Sequence, residues 1–215
     1  GETYQVNYTY RLRFTAYGGL FSLYQRLKRR QPVPFGALVS LPDGRAVLSF
    51  SPELAVQHQA GHLRTLPMKG TAEATADEAQ NALDAAHLAS DPKTRAENVM
   101  IVDLLRNDLS VYAETGSVKT PKLFNIESFN QVHHMVSEVE ATLKAEVHPF
   151  HVLLSALPGG SITGAPKIRA MQIIEELEGA PRGAYCGSMG YFNFDGTGSW
   201  NILIRSIQKF QDEVS

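Results

Sequence analysis

The segment from Pro158 to Lys167 holds three glycines directly before a predicted helix. A glycine-rich loop at a helix start offers free backbone N–H groups and the positive end of a dipole, which suit an anion. Pro166 stands directly before Lys167, so the segment lacks the Gly-Lys-Ser/Thr ending of a nucleotide-binding P-loop. A carboxylate ligand fits this segment as well as a phosphate does. A purely structural, glycine-rich helix start fits it equally well.

A second polar segment follows the chain from residue 94 to residue 108. Glu97 comes three residues after Thr94, which is the spacing of a capping box at a helix start. Thr75 and Glu78 have the same spacing. From the residues alone, capping is the favoured role of Glu97. The polar residues further along the segment are Asp103, Arg106, Asn107 and Asp108. They are compatible with a metal or anion site, but a hydrogen-bonded helix end is the commoner outcome.

Charged side chains also stand where predicted strands end. Lys69 precedes a glycine, and Glu53 follows a Ser-Pro pair. A lysine in this position can point into a cleft with the backbone close by, but spacing alone favours an exposed turn lysine and a turn carboxylate. His133 and His134 lie inside an alternating strand, so their imidazoles face opposite sides and cannot bind one metal together. We expect one of them at the surface and the other in the core or in a site.

Length and composition describe an ordinary globular chain. Its 215 residues suffice for one substantial domain, and its formal net charge is -2. This charge balance gives no sign of a nucleic-acid surface. The single cysteine, Cys186, excludes an internal disulfide and fits a reducing cytoplasm. No apolar run approaches the roughly 18 residues that a membrane span needs, so we expect no membrane partner.

Hydrophobic periodicity predicts strands interrupted by helices. The predicted strands span residues 4–14, 35–41, 46–50, 54–59, 62–68, 117–120, 129–143, 184–194 and 200–210. Strict alternation in the first of them predicts one buried face. The predicted helices begin near residues 20, 75, 94, 149 and 166. In the last helix, the residues expected inside are Ile168, Met171, Ile174 and Leu177. Strands mixed with non-alternating helices predict an α+β fold of antiparallel sheet layers with helices packed on them.

Taken in order, the polar segments closely resemble the signatures of one family, the chorismate-utilising enzymes. The two strongest matches are residues 95–108, which read RAENVMIVDLLRND, and residues 158–167, which read PGGSITGAPK. The other matching segments are residues 4–7, 132–137, 168–171, 185–191 and 204–205. Because the resemblance covers nearly the whole chain, the chain is identified as a member of this family.

The resemblance implies a chorismate-binding α+β domain over residues 1–215, with a cleft that holds chorismate and Mg²⁺. Branches of the family differ at the position of Lys69. Anthranilate synthases carry alanine there, whereas the branch that forms 4-amino-4-deoxychorismate, for para-aminobenzoate and folate, carries lysine. In that branch the lysine attacks the ring and displaces its hydroxyl, and ammonia then supplies the amino group. Glu53 matches the position of the acid/base that protonates the leaving hydroxyl.

The resemblance also assigns the groups that hold the substrate. Glu97 matches a Mg²⁺ ligand, which outweighs the capping role, since Mg²⁺ prefers hard oxygen ligands. Tyr185 and Arg205 match positions that bind the enolpyruvyl carboxylate, and an arginine fork suits that task. His134 and Ser161 match positions on the ring-hydroxyl side. Lys167 is a further substrate-binding candidate.

The resemblance further implies a domain that is incomplete at both ends. Members of the family continue into a helix with a second Mg²⁺ carboxylate and begin with a further half. We therefore expect little or no activity from the isolated chain, a glutaminase partner that supplies ammonia, and a homodimer through open sheet edges. Alternatives are anthranilate or isochorismate synthesis and, from another class, a non-catalytic binding or assembly module.

Overall fold

A computed structural model describes residues 1–129, 131–211 and 213–215 of the chain. This part contains thirteen strands and six helices, with antiparallel strand pairing throughout. The strands form a seven-stranded sheet, a four-stranded sheet and a two-stranded ribbon. The predicted α+β class is therefore confirmed. No helix in the described ranges is long and apolar enough to cross a bilayer.

The larger sheet is built around one long interior strand. In spatial order its strands are β10 (Gly190–Phe192), β11 (Gly198–Asn201), β4 (Leu54–Gln59), β5 (His62–Leu66), β8 (Val132–Thr142) and β6 (Met68–Glu73), with β7 (Lys119–Ser128) also paired to β8. One edge of β8 pairs with β5 and then with β6, and the other edge pairs with β7. The strand predicted at 62–68 breaks at Pro67, which has no N–H to donate. The carbonyl of Pro67 nevertheless accepts from Ser137 N.

Five helices lie on or beside the larger sheet: the first three in chain order contact its strands, and the last packs against the helix before it and the two-stranded ribbon. They are α2 (Glu78–Ser90), α3 (Pro92–Ser110), α4 (Pro149–Ala156), α5 (Gly160–Thr163) and α6 (Lys167–Glu178). Helix α3 lies against β6 and β8. Its Val102 and Leu109 pack in one buried cluster with Leu63, Val139 and Trp200 of the sheet. This packing places the polar segment of α3 beside the strand that carries Lys69.

The smaller sheet packs under one helix. Its strands are, in spatial order, β13 (Glu213–Val214), β12 (Ser206–Phe210), β3 (Ala46–Ser51) and β2 (Phe35–Ser40), and α1 (Leu20–Arg30) lies against them. The ring of Tyr24 in α1 stacks on Phe50 with centroids 5.2 Å apart. The strands predicted at 35–41 and 46–50 are confirmed, and they pair with each other as an antiparallel hairpin.

Two stretches of chain cross from one sheet to the other. Residues 52–53 join β3 to β4, and residues 202–205 join β11 to β12. The crossings are hydrogen-bonded to each other, because Ile202 N donates to Glu53 O and Phe50 N donates to Arg205 O, both at 3.1 Å. The single strand predicted at 200–210 is therefore wrong. The chain bends at Arg205, whose φ is 49°, and changes sheets there.

The first predicted strand is much shorter in the structure. Strand β1 (Gln5–Val6) pairs with β9 (Gly164–Ala165), and Phe14 forms a single antiparallel bridge with Val214. The expected buried face is open: Tyr10, for example, is 76% exposed. The alternation of apolar and polar residues at 4–14 indicated an extended backbone. The strand is short because β9, its partner, has only two residues. None of the described elements covers the aromatic face. The prediction of a buried face at 4–14 is thus wrong.

Other element bounds also differ from the periodicity. Strand β7 runs from Lys119 to Ser128, past the predicted 117–120, and only β10 forms within 184–194. Strand β8 begins at Val132, and Asn130, inside the strand predicted at 129–143, lies outside the described residues. In α6, Ile168 is 76% exposed, and Met171 and Leu177 are exposed as well, so only Ile174 of the predicted inner stripe is buried.

Aspartates, rather than the predicted threonines, cap helices α2 and α3. Asp77 accepts from Ala79 N at 2.9 Å, and Asp91 accepts from Thr94 N at 2.7 Å. Both predicted capping boxes are therefore wrong, because each helix begins at a residue other than the one its threonine marked. Glu97 lies in the second turn of α3 and has no capping role.

Candidate active site

Lys69 lies in β6 at a bulge created by the glycine that follows it. The register with β8 shifts between Lys69 and Thr71, and the φ of Gly70 is 81°. A Cβ at Gly70 would collide with the Thr94 side chain of α3. Glycine alone adopts this positive φ without strain and also leaves room for Thr94. The bulge and the close approach of α3 therefore depend on the same residue. The Lys69 ammonium donates to the carbonyl of Ser161 at 3.1 Å.

Glu53 and Lys69 form an acid–amine pair with displaced proton affinities. Glu53 is only 5% exposed, and burial raises its pKa to about 7, although the Ser161 side chain, the Lys69 charge and the Met68 backbone act in the opposite direction. Burial lowers the pKa of Lys69, against the charges of Glu97 and Glu53. Both groups are thus shifted toward their neutral forms. A carboxylic acid and a free amine side by side suit acid-assisted nucleophilic chemistry.

Glu97 is the predicted metal ligand that the structure brings to this pair. Its side chain is 33% exposed and lies 4.0 Å from Lys93 Nζ. Its charge acts to raise the pKa of Lys69. Magnesium is commonly held by one or two carboxylates together with substrate oxygens and water. Glu97 fits as one such ligand. Within the described ranges no three His, Cys, Asp or Glu side chains converge, so these residues do not complete a metal cage.

His134 and Arg205 face each other on the far side of the bulge. Arg205 Nη2 donates to His134 Nε2 at 2.7 Å, and Nδ1 of the same imidazole lies 3.2 Å from the Gly70 carbonyl. Since a guanidinium only donates, Nε2 must accept, which places the proton on Nδ1, facing Gly70 O. Burial lowers the pKa of His134, and the charge of Arg205 adds to this. The imidazole is therefore neutral, and it orients Arg205.

The expectation that one of the two histidines lies at the surface is wrong. Both His133 and His134 are buried, because β8 is an interior strand covered on both faces. Their side chains do point to different partners. His133 Nδ1 lies 2.8 Å from Ser128 Oγ of β7, outside the Lys69 group.

Close packing explains the glycines of the 158–167 segment. A Cβ at Gly160 would collide with Leu104 of α3, and a Cβ at Gly164, whose φ is 131°, would collide with the Gln5 carbonyl of β1. The segment presents the Ser161 carbonyl, rather than an N–H group, to Lys69. The structural interpretation of this loop is therefore the one that its contacts support. Its effect on the site is to supply an acceptor for the lysine.

Lys167 is engaged elsewhere. Its ammonium donates to Asp108 Oδ2 at 2.7 Å and to the Ala156 carbonyl at 3.2 Å. Asp103 pairs with Arg106 at 3.1 Å. The polar residues at the end of α3 thus bond among themselves and to Lys167 at the start of α6, as the helix-end interpretation predicted. The structure does not bring Lys167 to Lys69 and Glu53.

Tyr185 lies beside the group, on the apolar side. It packs with Ile162 and Ile204, the residues next in sequence to Ser161 and Arg205. Burial raises the pKa of Tyr185, so its hydroxyl keeps its proton at neutral pH. Sequence reasoning missed one neighbour of this region, Arg182, which bonds to Ile162 and Cys186. No motif singled it out; only the three-dimensional contacts do.

Comparison with known proteins places this geometry in context. The whole chain, residues 1–215, matches the family model described as chorismate binding enzyme. It is 49% identical over 214 residues to aminodeoxychorismate synthase component 1 of Klebsiella aerogenes, covering 100% of this chain and 47% of that protein. It is 43% identical over 187 residues to anthranilate synthase component 1 of Bacillus subtilis, covering 87% of this chain and 36% of that protein.

A solved structure agrees with the sequence relatives. Anthranilate synthase component I from Streptococcus pneumoniae matches with a TM-score of 0.85 at 34% identity, over 94% of this chain and 44% of that chain. The chain thus spans about half the length, or less, of these three relatives. Its fold and its full-length family match agree, and the chain belongs to the chorismate-binding enzymes.

Proposed function

We propose that this chain carries the chemical centre for amination of chorismate to 4-amino-4-deoxychorismate, with Lys69 as nucleophile and Glu53 as general acid. One observation carries the proposal: a lysine amine beside a buried carboxyl, with the pKa of the amine lowered and that of the carboxyl raised to about 7. A nucleophilic amine needs its free lone pair, and a leaving hydroxide needs a proton. The pKa shifts of the pair favour the free amine and the protonated carboxyl group.

The proposed reaction proceeds in two displacements. The Lys69 lone pair forms a C–N bond to the ring of chorismate while the ring C–O bond breaks. Its oxygen takes the Glu53 proton and leaves as water. Ammonia then attacks the ring, the Lys69–carbon bond breaks, and the amine takes back its electron pair. The ammonium group of the product then returns a proton to the Glu53 carboxylate. The sum is chorismate plus ammonia giving the amino product plus water, and both Lys69 and Glu53 are regenerated.

Lys69 also supports the aminodeoxychorismate branch over its alternatives. Identity alone separates the branches poorly, since relatives named for two different products match at 49% and 43%. Anthranilate synthesis by direct attack of ammonia, and isochorismate synthesis by attack of water, need no side-chain amine at the reacting carbon. Burying the Lys69 amine, 3.1 Å from the Ser161 carbonyl, costs free energy because the charged form loses its hydration. A reacting amine gives this cost a function.

The remaining site residues bind the substrate in this proposal. Arg205, oriented by neutral His134, holds the enolpyruvyl carboxylate together with the Tyr185 hydroxyl. Ser161 lies on the ring-hydroxyl side, next to Glu53. We propose Mg²⁺ as the cofactor, with Glu97 as one ligand, and when bound it would neutralise a substrate carboxylate. Lys167 is the weakest of the substrate-binding candidates, because Asp108 and Ala156 already occupy its ammonium.

We further propose a glutaminase subunit as the source of ammonia. The names of two relatives, aminodeoxychorismate synthase component 1 and anthranilate synthase component 1, support a partner component. The cytoplasmic location and the homodimer through open sheet edges stay predictions. Low activity of the isolated chain also stays a prediction.

The test uses this chain, and a version extended at both ends to the length of the relatives. Each is incubated with chorismate, ammonium and Mg²⁺, and products are separated while the protein is weighed intact and peptide-mapped. We expect 4-amino-4-deoxychorismate and an adduct on Lys69 from the extended version, and little or no product from the isolated chain. Lys69→Ala should abolish both, and Lys119→Ala, at an exposed lysine of β7, should abolish neither.

Other outcomes would contradict the proposal. Undiminished amination by the Lys69→Ala variant would show that the lysine is not the nucleophile. Anthranilate or isochorismate as product would move the chain to another branch. Binding of a glutaminase subunit by both versions, with neither chorismate binding nor product, would favour a non-catalytic assembly module.

A further inference from the structure

Arg182 joins four separate stretches of the chain through one guanidinium. Its nitrogens donate to the Ile162 carbonyl at 2.9 Å and to the Asn7 carbonyl at 2.7 Å. They also form a two-pronged pair with Glu178, at 2.9 Å and 2.6 Å, and reach Cys186 Sγ at 3.3 Å. The N-terminal segment, helix α5, the end of α6 and the Cys186 turn therefore share one cation.

The Arg182–Glu178 pair is largely shielded from water. The side chains are 14% and 7% exposed. The ion pair raises the pKa of Arg182 and lowers that of Glu178, which also accepts from Thr9. Without the guanidinium, two carbonyl groups would lose their donor and the Glu178 carboxylate would lose its cation in a poorly hydrated place. Arg182 therefore holds these four stretches in register.

The position of Arg182 links it to Lys69. Ile162, whose carbonyl it binds, directly follows Ser161, whose carbonyl accepts the Lys69 ammonium. The two acceptors thus belong to neighbouring peptide units of α5. The same guanidinium reaches Cys186, which follows Tyr185. Arg182 itself is enclosed by protein groups, so it acts on the site through the backbone.

We infer that Arg182 is a positioning residue of the proposed reaction: it fixes the α5 backbone whose Ser161 carbonyl aims the Lys69 amine. This inference rests on the proposed function. A lysine at position 182 would keep the charge but not the planar fork. It could not serve Glu178 with two bonds and reach two carbonyls as well. Shape, and not charge alone, is therefore required.

The test compares Arg182→Lys with wild type and with Arg11→Met. Arg11 is a matched control, because it too ties the N-terminal segment to the turn after α6, through the Pro181 carbonyl, but it is exposed and does not reach α5. Glu178→Gln is a third variant that keeps the guanidinium. The readouts are amide hydrogen exchange, acetylation of Lys69 relative to Lys119 by a small anhydride, and kcat and KM for chorismate in the extended chain.

For Arg182→Lys we expect at least tenfold faster exchange at the Ile162 and Asn7 amides, with core amides such as Leu63 unchanged. Relative acetylation of Lys69 should change at least threefold. The kcat should fall at least tenfold while KM stays within threefold, and Arg11→Met should match wild type throughout. For Glu178→Gln, the exchange rates, the Lys69 acetylation and the kcat should lie between those of Arg182→Lys and wild type.

Two results would overturn the inference: wild-type kcat in Arg182→Lys, or unchanged exchange at Ile162 together with unchanged Lys69 acetylation. If wild type itself forms neither adduct nor product, the proposed function fails. Exchange and acetylation then still decide whether Arg182 sets the position of Lys69.

Discussion

Two buried carboxyl groups of this protein, Glu53 and Glu138, have opposite proton affinities. They are almost equally hidden, at 5% and 4% exposure. Yet the pKa of Glu53 is raised to about 7 by burial, whereas that of Glu138 is lowered to about 2. Burial by itself would raise both. The lowered pKa of Glu138 must therefore come from its partners.

The partners of Glu138 are two cations in direct contact. Arg64 donates to one of its oxygens, and Lys122 Nζ lies 2.9 Å from the other. These bonds outweigh the cost of burial. Glu53 has the Ser161 side chain and the charge of Lys69, which itself donates to a carbonyl. Glu138, with two cations in direct contact, stays ionised and holds three strands of the sheet together. Glu53, which lacks such contacts, can exchange a proton near neutral pH.

The largest expected effect separates the two groups by activity. Glu53→Gln removes the proposed acid, so we expect kcat for amination to fall at least 100-fold, the usual scale for loss of general acid catalysis. Glu138→Gln should leave kcat within about threefold, because its partners lie away from Lys69. Steady-state kinetics in the extended chain measures both. Equal losses would show that the contrast in pKa has no chemical meaning.

The next effect concerns stability at neutral pH. Glu138→Gln replaces two charge-assisted hydrogen bonds by weaker ones, and we expect a loss of about 2–3 kcal/mol in the free energy of unfolding. Urea denaturation of the chain at pH 7 measures it. As a control, Glu140→Gln changes a more exposed carboxylate of the same strand. A loss as large in the control would mean that the Arg64–Lys122 cluster is not special.

The pH dependence should run in opposite directions for the two groups. Glu138, with a lowered pKa, stabilises the fold above its ordinary value of 4.5, and this contribution is lost as pH falls toward 2. Glu53, with a raised pKa, binds its proton more tightly in the folded state. Its contribution is therefore lost as pH rises from 4.5 to about 7.

Unfolding free energies measured from pH 4 to pH 8 test the Glu53 half of this comparison. The difference between Glu53→Gln and wild type should rise with pH by on the order of 2 kcal/mol. A flat difference would mean that Glu53 titrates normally in the folded protein, and the proposed acid would lose its physical basis.

The smallest effect belongs to the outer partner of Glu138. Lys122 is 61% exposed on its side chain, so solvent screens its attraction. We expect Lys122→Met to cost at most about 1 kcal/mol, less than Arg64→Met, and to leave kcat unchanged. Denaturation of the two variants side by side measures the order. A reversed order would place the main support of Glu138 at the surface.

Local pattern predicted the strands of the smaller sheet's hairpin and the α+β class, but it failed where distant residues decide. The threonines at positions 75 and 94 had the right spacing for capping boxes, yet nearby aspartates cap both helices. Lys69 and Glu53 were indicated by family resemblance, since their spacing alone favoured exposed turns. The pKa contrast and the Arg182 contacts depend on neighbours far along the chain. No local rule contains that information.

The two crossings between the sheets have a mechanical consequence. Glu53 and Arg205 lie in these crossings, which are bonded to each other, whereas Lys69 belongs to the larger sheet alone. The connection made by these two crossings is narrower than either sheet. If the smaller sheet rotates about it, Glu53 and Arg205 move together relative to Lys69, and the bond from Arg205 to His134 of β8 resists the motion. The crossings would then act as a hinge that changes the distance between the proposed acid and the proposed nucleophile.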